Sequence, residues 1–301
     1  AGLVLSISIP EAFEAQGLNF AVAYVAMQVG RSIFTLWAIG DASPANTRNF
    51  QRITTWLVGS GLFWIAGGML EHDARLTLWL AALAIEYAGP SAGFWVPGLG
   101  RSTTGDWDVE GGHLAERCGL FVIIALGESI LVASATFAEL PWAVAPVAAV
   151  LTAFLQSIAM WWVYFDTGAE RGSRRIAHSG DPGRLARLAY TYIHLAIVAG
   201  IIVTAVADEL VLEHPAAAPD AAAALVIIGG PWLYLVGNTL FKRAITGRLP
   251  LSHLIGSGLF VIVAIAAPML SQRWLAAGTT TILLLVAAWE TISLERSRPE
   301  I

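Results

Sequence analysis

The sequence predicts an all-α fold: a polytopic helical membrane protein with two parallel six-helix repeats, the first of them truncated at its N-terminus. Three observations predict it, namely long apolar stretches, little charge and an internal repeat. The 301 residues are 56% hydrophobic and only 13% charged. A soluble domain carries about 25% charged residues. Most of the surface is therefore expected to face lipid rather than water.

The apolar stretches have the length of membrane-spanning helices, since about 20 residues of helix cross the roughly 30 Å of hydrocarbon. Because unpaired backbone groups are costly in lipid, these stretches are predicted to be helical. Residues 1–9 resemble the end of a further span. Nine complete spans are expected, at 17–39, 53–70, 76–95, 113–137, 142–165, 185–207, 221–242, 252–270 and 276–294.

The internal repeat is read from short segments that recur in the same order about two hundred residues later. The sequence GSGLF at 59–63 recurs identically at 256–260, and residues 1–11 resemble 199–209. Such self-similarity indicates a repeat architecture. Six helices per copy return the chain to its starting side, so both copies share one orientation. Since residue 1 matches the middle of a copy, the counterpart of residues near 113–198 is expected upstream.

The repeat divides the chain into three parts. Residues 1–97 are expected to hold the end of the first repeat, a partial span followed by three spans. Residues 98–112 are rich in Gly and Asp, which is typical of a linker; a gating segment is the alternative. Residues 113–301 are expected to form the complete second repeat, with six spans.

Basic residues indicate the orientation in the membrane. If the loop 166–184 is cytoplasmic, alternation places nearly all of them at inner helix ends or loops, and only Arg75 and Arg273 outside. This asymmetry follows the positive-inside rule and predicts a cytoplasmic C-terminus. The inner set is Arg48, Arg52, Arg101, Arg171, Arg174, Arg175, Arg184, Arg187, Lys242, Arg243, Arg248, Arg296 and Arg298.

The stretch 113–129 carries the strongest chemical signal. At about 100° per residue, His113, Arg117 and Glu128 fall within one arc of the helix, with Glu116 beside it. Glu128 lies about ten residues, or roughly 15 Å of helix, beyond Arg117. An ionised carboxylate at that depth is costly. We therefore expect Glu128 to face the bundle interior, to pair with a cation or to be protonated.

Four further polar residues are candidates for an ion, proton or substrate site. Arg31 is either a counter-ion of Glu128 or Glu86 or a snorkelling side chain. Glu86 has a counterpart in Glu290, which is expected to reach the inner headgroups. His194 titrates near neutral pH or makes a structural hydrogen bond. Asp166 is either the boundary carboxylate of an aromatic belt or a partner of Arg171 or Arg117 at the cytoplasmic opening of a transport pathway.

The segment HLAERCGLFVIIALGESIL at 113–131 resembles the signature helix of the bacterial low-temperature-requirement protein A family. WWVYFD at 161–166 and YIHL at 192–195 resemble the ends of that family's following helices. The similarity covers essentially the whole chain, although the family's first-copy signature ELFFDLVFV is absent. The resemblance implies a protein of the bacterial inner membrane and little about its biochemistry.

No soluble catalytic pattern is present: the sequence lacks GxxxxGK[ST], HExxH and GxSxG. Catalytic residues, metal ligands and cofactors are therefore predicted as none, enzymatic activity is left uncertain, and nucleic acid is not an expected partner. The leading hypothesis is a proton- or ion-coupled transporter of a small ion or small molecule, with its site where the two repeats meet. A channel, a membrane enzyme acting on lipid, and a sensor or scaffold remain as alternatives, and homo-oligomerisation stays open.

Overall fold

A computed structural model describes residues 1–40, 42–106, 110–166 and 168–295 of the chain. Within those ranges the regular structure is helical, apart from one β-bridge between Val96 and Gly100. The predicted all-α class is thus confirmed. The chain forms two compact units, Ala1–Asp108 and Val109–Ile301. Arg296, Arg298 and residues 107–109 of the predicted linker lie outside the described residues.

The first unit is a set of antiparallel helices in which α2 packs on both α1 and α3, and α4 packs on α3. Helix α3 begins with Pro at its first position and is capped by Ser43, whose hydroxyl accepts the Asn46 N–H. The helices are α1 (Gly2–Ser8), α2 (Gly17–Ile39), α3 (Pro44–Gly68) and α4 (His72–Ser91).

Two buried arginines form hydrogen bonds with the loops of the first unit. Arg75, predicted to lie in an outer loop, donates to the carbonyls of Ala12, Glu14 and Leu70. Arg52 donates to the carbonyl of Leu99 and to the Asn49 and Ser102 side chains. A guanidinium has five donors, so each arginine binds several acceptors at once. The first residues of the predicted linker are therefore held against α3 by hydrogen bonds.

In the second unit, α9 packs along α10, and α12 packs on α6, α10 and α11. A π-helical segment, Ala186–Ile193, precedes α9. The helices are α5 (Gly111–Ala138), α6 (Val144–Phe165), α7 (Gly168–Ala177), α8 (Pro182–Leu185), α9 (His194–Glu213), α10 (Ala221–Thr246), α11 (Leu251–Ala266) and α12 (Gln272–Glu295).

Seven helical segments of the described chain are long and apolar enough to cross a membrane. Nine were expected. The predicted spans 53–70 and 76–95 do form α3 and α4, but these two helices carry more polar and charged residues and are not among the seven. The seven are Gly17–Ile39, Gly111–Ala138, Val144–Ala177, Pro182–Glu213, Ala221–Thr246, Leu251–Met269 and Gln272–Ser293.

Helices α9 and α10 approach each other backbone to backbone because glycines line their contact. A Cβ added to Gly200 would lie 2.5 Å from the Tyr234 nitrogen, and one added to Gly230 would lie 2.7 Å from the Thr204 nitrogen. Small residues of this kind let membrane helices pack closely. The GSGLF segments that recur in the sequence hold four further glycines, Gly59, Gly61, Gly256 and Gly258. Only Gly61 and Gly256 of those four meet a neighbour within 4 Å.

We expect Gly200→Ala to destabilise the second unit by about 1–3 kcal/mol, because the new methyl group overpacks the α9–α10 contact. Gly258→Ala is the matched control, since open space surrounds that position. Thermal or denaturant unfolding in detergent measures both variants. Equal stabilities of the two variants would show that α9 and α10 do not require this close approach.

Candidate functional site

A buried ionic cluster lies at one end of the second unit. The Lys242 ammonium on α10 hydrogen-bonds the Glu290 carboxylate on α12 and donates to the Val163 carbonyl at 3.0 Å. His253, near the start of α11, is fully buried and places Nε2 3.2 Å from Glu290 Oε2 and 3.3 Å from Lys242 Nζ. Three consecutive helices thus contribute one titratable side chain each to a single cluster.

The hydrogen bonds of His253 suit both of its protonation states. Its Nδ1 lies 3.1 Å from the hydroxyl of Thr239, which itself donates to the Leu235 carbonyl. Nδ1 is therefore the donor, because that hydroxyl hydrogen is already used. In the neutral imidazole Nε2 accepts from Lys242, and in the imidazolium it donates to Glu290. A proton can bind without movement of heavy atoms.

The cluster borders a cavity of about 710 Å³ in the second unit. Lys242 and Glu290 form part of its wall, together with the exposed Arg171 and Arg248. The cavity lies between α7, the C-terminal end of α10 and the C-terminal half of α12. The buried cluster therefore has an adjacent space large enough for a small ion with its water or for a small molecule.

The first unit holds a different carboxylate, which is partly buried. Glu86 on α4 accepts hydrogen bonds from Tyr24 on α2 and from Ser60 and Trp64 on α3, at 2.7–2.9 Å. Arg31 does not pair with Glu86 directly. Arg31 donates to the Gln28 side chain, which donates to the Tyr24 hydroxyl. Neutral donors therefore solvate Glu86, and the arginine is three hydrogen bonds away.

His194 is buried at the junction of the π-helical segment and α9. Its Nδ1 lies 2.7 Å from the Ala189 carbonyl, and its Nε2 lies 2.8 Å from the Tyr164 hydroxyl. Both contacts suit a neutral imidazole that donates from Nδ1 and accepts at Nε2. The rings of Tyr164, Tyr190 and Phe241 surround it. This arrangement matches the structural hydrogen bond that the sequence left as the alternative.

The four candidates on α5 all lie on its exposed side. Glu128 has neither a hydrogen bond nor an ion pair within the described residues, and Arg117 is likewise exposed. The expectation that Glu128 faces the bundle interior or pairs with a cation is thus not met there. His113 and Glu116 approach to 3.8 Å but are largely exposed. In the described ranges no third His, Cys, Asp or Glu joins them to form a metal site.

Asp166 lies at the C-terminal end of α6 and accepts a hydrogen bond from the Thr291 hydroxyl at 2.7 Å. Thr291 in turn accepts from Trp162 Nε1. Among the described residues Asp166 makes no ion pair with Arg171 or Arg117. Asp166 therefore contacts the residue that directly follows Glu290, at the same end of the unit as the ionic cluster.

Sequence reasoning missed the ionic cluster. Glu290 is expected from the sequence at the inner headgroups, whereas it contacts Lys242 and His253 inside the unit. A signal was available, because Lys242 ends one helix, His253 begins the next and Glu290 ends the following one. Antiparallel neighbours bring those three positions to the same end. Asp208 is buried in α9, and its Oδ2 lacks a hydrogen-bond partner among the described residues.

The helices and their apolar surfaces define a multi-pass helical membrane protein. The family described as bacterial low temperature requirement A protein (LtrA) matches residues 1–288, and the chain belongs to that family. An uncharacterized protein of Rhizobium meliloti (strain 1021) is 43% identical over 303 residues, which cover 99% of this chain and 73% of that protein. No solved structure matches the chain.

We expect Lys242→Met or Glu290→Gln alone to destabilise the protein by about 3–5 kcal/mol, because each leaves a buried partner uncompensated. The double variant should lose less than the sum of the two single losses. Denaturant unfolding in detergent micelles measures this coupling. Glu170→Gln is the control, since its 3.5 Å pair with Arg174 is largely exposed and such pairs contribute little. Additive losses in the double variant would contradict a coupled buried pair.

Proposed function

We propose that this protein is a proton-coupled transporter of a small ion or small molecule in the bacterial inner membrane, with the basic end of the second unit on the cytoplasmic side. The observation that carries the proposal is the position of His253 between Lys242 and Glu290, beside an open cavity. Intramembrane ionisable groups are costly and are typical of transport and proton pathways.

Protonation of His253 supplies the coupling. In the neutral state, Lys242 donates to both Glu290 and His253. Once His253 gains a proton, Nε2 donates to Glu290 and no longer accepts from Lys242. One Lys242 N–H then lacks an acceptor, and the net charge of the cluster beside the cavity rises by one. Proton binding and occupancy of the cavity by an anionic or polar group therefore favour each other, which is a thermodynamic linkage.

This site lies within the second unit, whereas the repeat suggested a site between the two copies. The organisation into two parallel repeats remains part of the proposal. It is supported by a shared feature: in each unit the carboxylate of the last long helix contacts polar side chains of the two preceding helices. Glu128, Arg117, His113 and Glu116 would then meet water, lipid or a further protein surface on the exposed side of α5.

Two other functions use the same residues. An ion channel would conduct through the cavity and would give single-channel currents far larger than transporter turnover. A sensor or scaffold would use the ionic cluster only to hold three helices together. The presence of proton flux separates a transporter from a sensor or scaffold, and the absence of unitary currents separates it from a channel.

In pyranine-loaded liposomes containing the full-length protein, we expect proton flux driven by an imposed diffusion potential. His253→Gln should abolish its pH dependence, because the amide cannot bind the proton. His113→Gln is the matched control on the exposed side of α5, and it should leave the pH dependence unchanged. Glu128→Gln in the same assay tests the candidate that the sequence favoured.

Three results would count against the proposal. Wild-type flux no greater than that of protein-free liposomes would favour a sensor or scaffold. Unitary currents in planar bilayers would favour a channel. A His253→Gln variant that is folded, as judged by size-exclusion chromatography, and keeps the wild-type pH profile would remove the ionic cluster from the pathway.

A further inference from the structure

The cavity beside the ionic cluster has an excess of positive charge. Arg171, Lys242 and Arg248 line it, against the single carboxylate of Glu290. Lys242 is compensated by Glu290. The guanidinium groups of Arg171 and Arg248 make no ion pair within the part of the chain that the structure describes. Two uncompensated cations therefore remain at the cavity wall, where they can attract an anion.

An apolar groove adjoins this cavity. The groove, of about 410 Å³, runs between α11 and α12, and its lining is almost entirely apolar. Its floor is formed at Gly256, where an added Cβ would lie 2.5 Å from Val286. Ile255 and Leu285 are exposed along its edges. Ser252 and Trp289 line both the groove and the cavity, so the charged and apolar spaces meet at those two residues.

We infer that the second unit binds an anionic phospholipid, with the headgroup phosphate beside Arg171 and Arg248 and an acyl chain in the groove between α11 and α12. Basic pockets between membrane helices bind anionic headgroups. A free inorganic anion would satisfy the arginines and leave the groove unused. A zwitterionic lipid would fill the groove and leave the cationic excess uncompensated. Trp289 lies at the junction, as is typical of an indole at the membrane interface.

This inference does not depend on transport, because it concerns the cationic wall and the groove rather than proton binding at His253. It also has a separate readout. Binding of dioleoylphosphatidylglycerol to the full-length protein in detergent can be counted by native mass spectrometry, and its effect on the unfolding temperature can be measured in the same preparation. Dioleoylphosphatidylcholine and inorganic phosphate serve as the two comparison ligands.

We expect phosphatidylglycerol to bind and to raise the unfolding temperature, and phosphatidylcholine and phosphate to do so far less. The double variant Arg171→Gln/Arg248→Gln should weaken phosphatidylglycerol binding roughly thirtyfold, or about 2 kcal/mol, from about 1 kcal/mol per arginine near an anionic headgroup. Arg174→Gln/Arg243→Gln is the matched control. It removes two exposed arginines from the same end of the unit that do not line the cavity.

Ala288→Phe tests the acyl-chain half of the site, because it fills the groove and leaves the arginines in place. It should weaken lipid binding without changing any response to inorganic phosphate. Equal weakening by the two arginine pairs would overturn the site. Equal binding of phosphatidylcholine would overturn the role of charge, and wild-type lipid affinity in Ala288→Phe would leave only an anion site. The wild-type comparison of the two lipids decides the matter even if a variant fails to fold.

Discussion

The hydrogen bonds between Glu290, Lys242 and His253 fix the positions of α10, α11 and α12, because each helix contributes one partner. In lipid a polar group cannot turn to water, so it must be satisfied inside the protein. Once Lys242 is buried beside Val163, the end of α6 is fixed as well. The cavity, the groove and the proposed proton site all follow from this arrangement of helix ends.

The first unit meets the same constraint with different chemistry. Glu86 receives three neutral donors and has no direct cation partner among the described residues. Hydrogen bonds from hydroxyl and indole groups therefore satisfy this carboxylate without a directly contacting cation. In the second unit the carboxylate is matched by an ammonium and an imidazole. The second arrangement is the one that contains an imidazole, which can donate from both nitrogens or accept at one of them, and the proposed coupling is placed there for that reason.

Helical periodicity correctly placed His113, Arg117 and Glu128 on one side of α5, yet it could not say where that side faces. The expectation of an interior Glu128 rested on the cost of exposing a carboxylate to lipid. The structure instead buries Ala115, Gly119, Val122, Leu126, Ser129 and Ala133 of α5 and leaves the charged arc exposed. Small and aliphatic side chains fill the contacts with neighbouring helices better than a solvated carboxylate does. The side of α5 that is buried is thus decided by the packing of its side chains and not by the position of its charged residues.

The sequence by itself determined the helical class, most helix positions and the family, because apolar runs and the 113–131 segment are local signals. It also identified Glu86, His194 and Asp166 as polar residues that need partners. Only the tertiary structure decided those partners: Tyr24, Ser60 and Trp64 for Glu86, Tyr164 for His194 and Thr291 for Asp166. The cluster at Glu290 was likewise hidden, since its members are separated by up to 48 residues in the chain. A hydrogen bond depends on distances of a few ångströms, which are set when helices pack and are not encoded in spacing along the sequence.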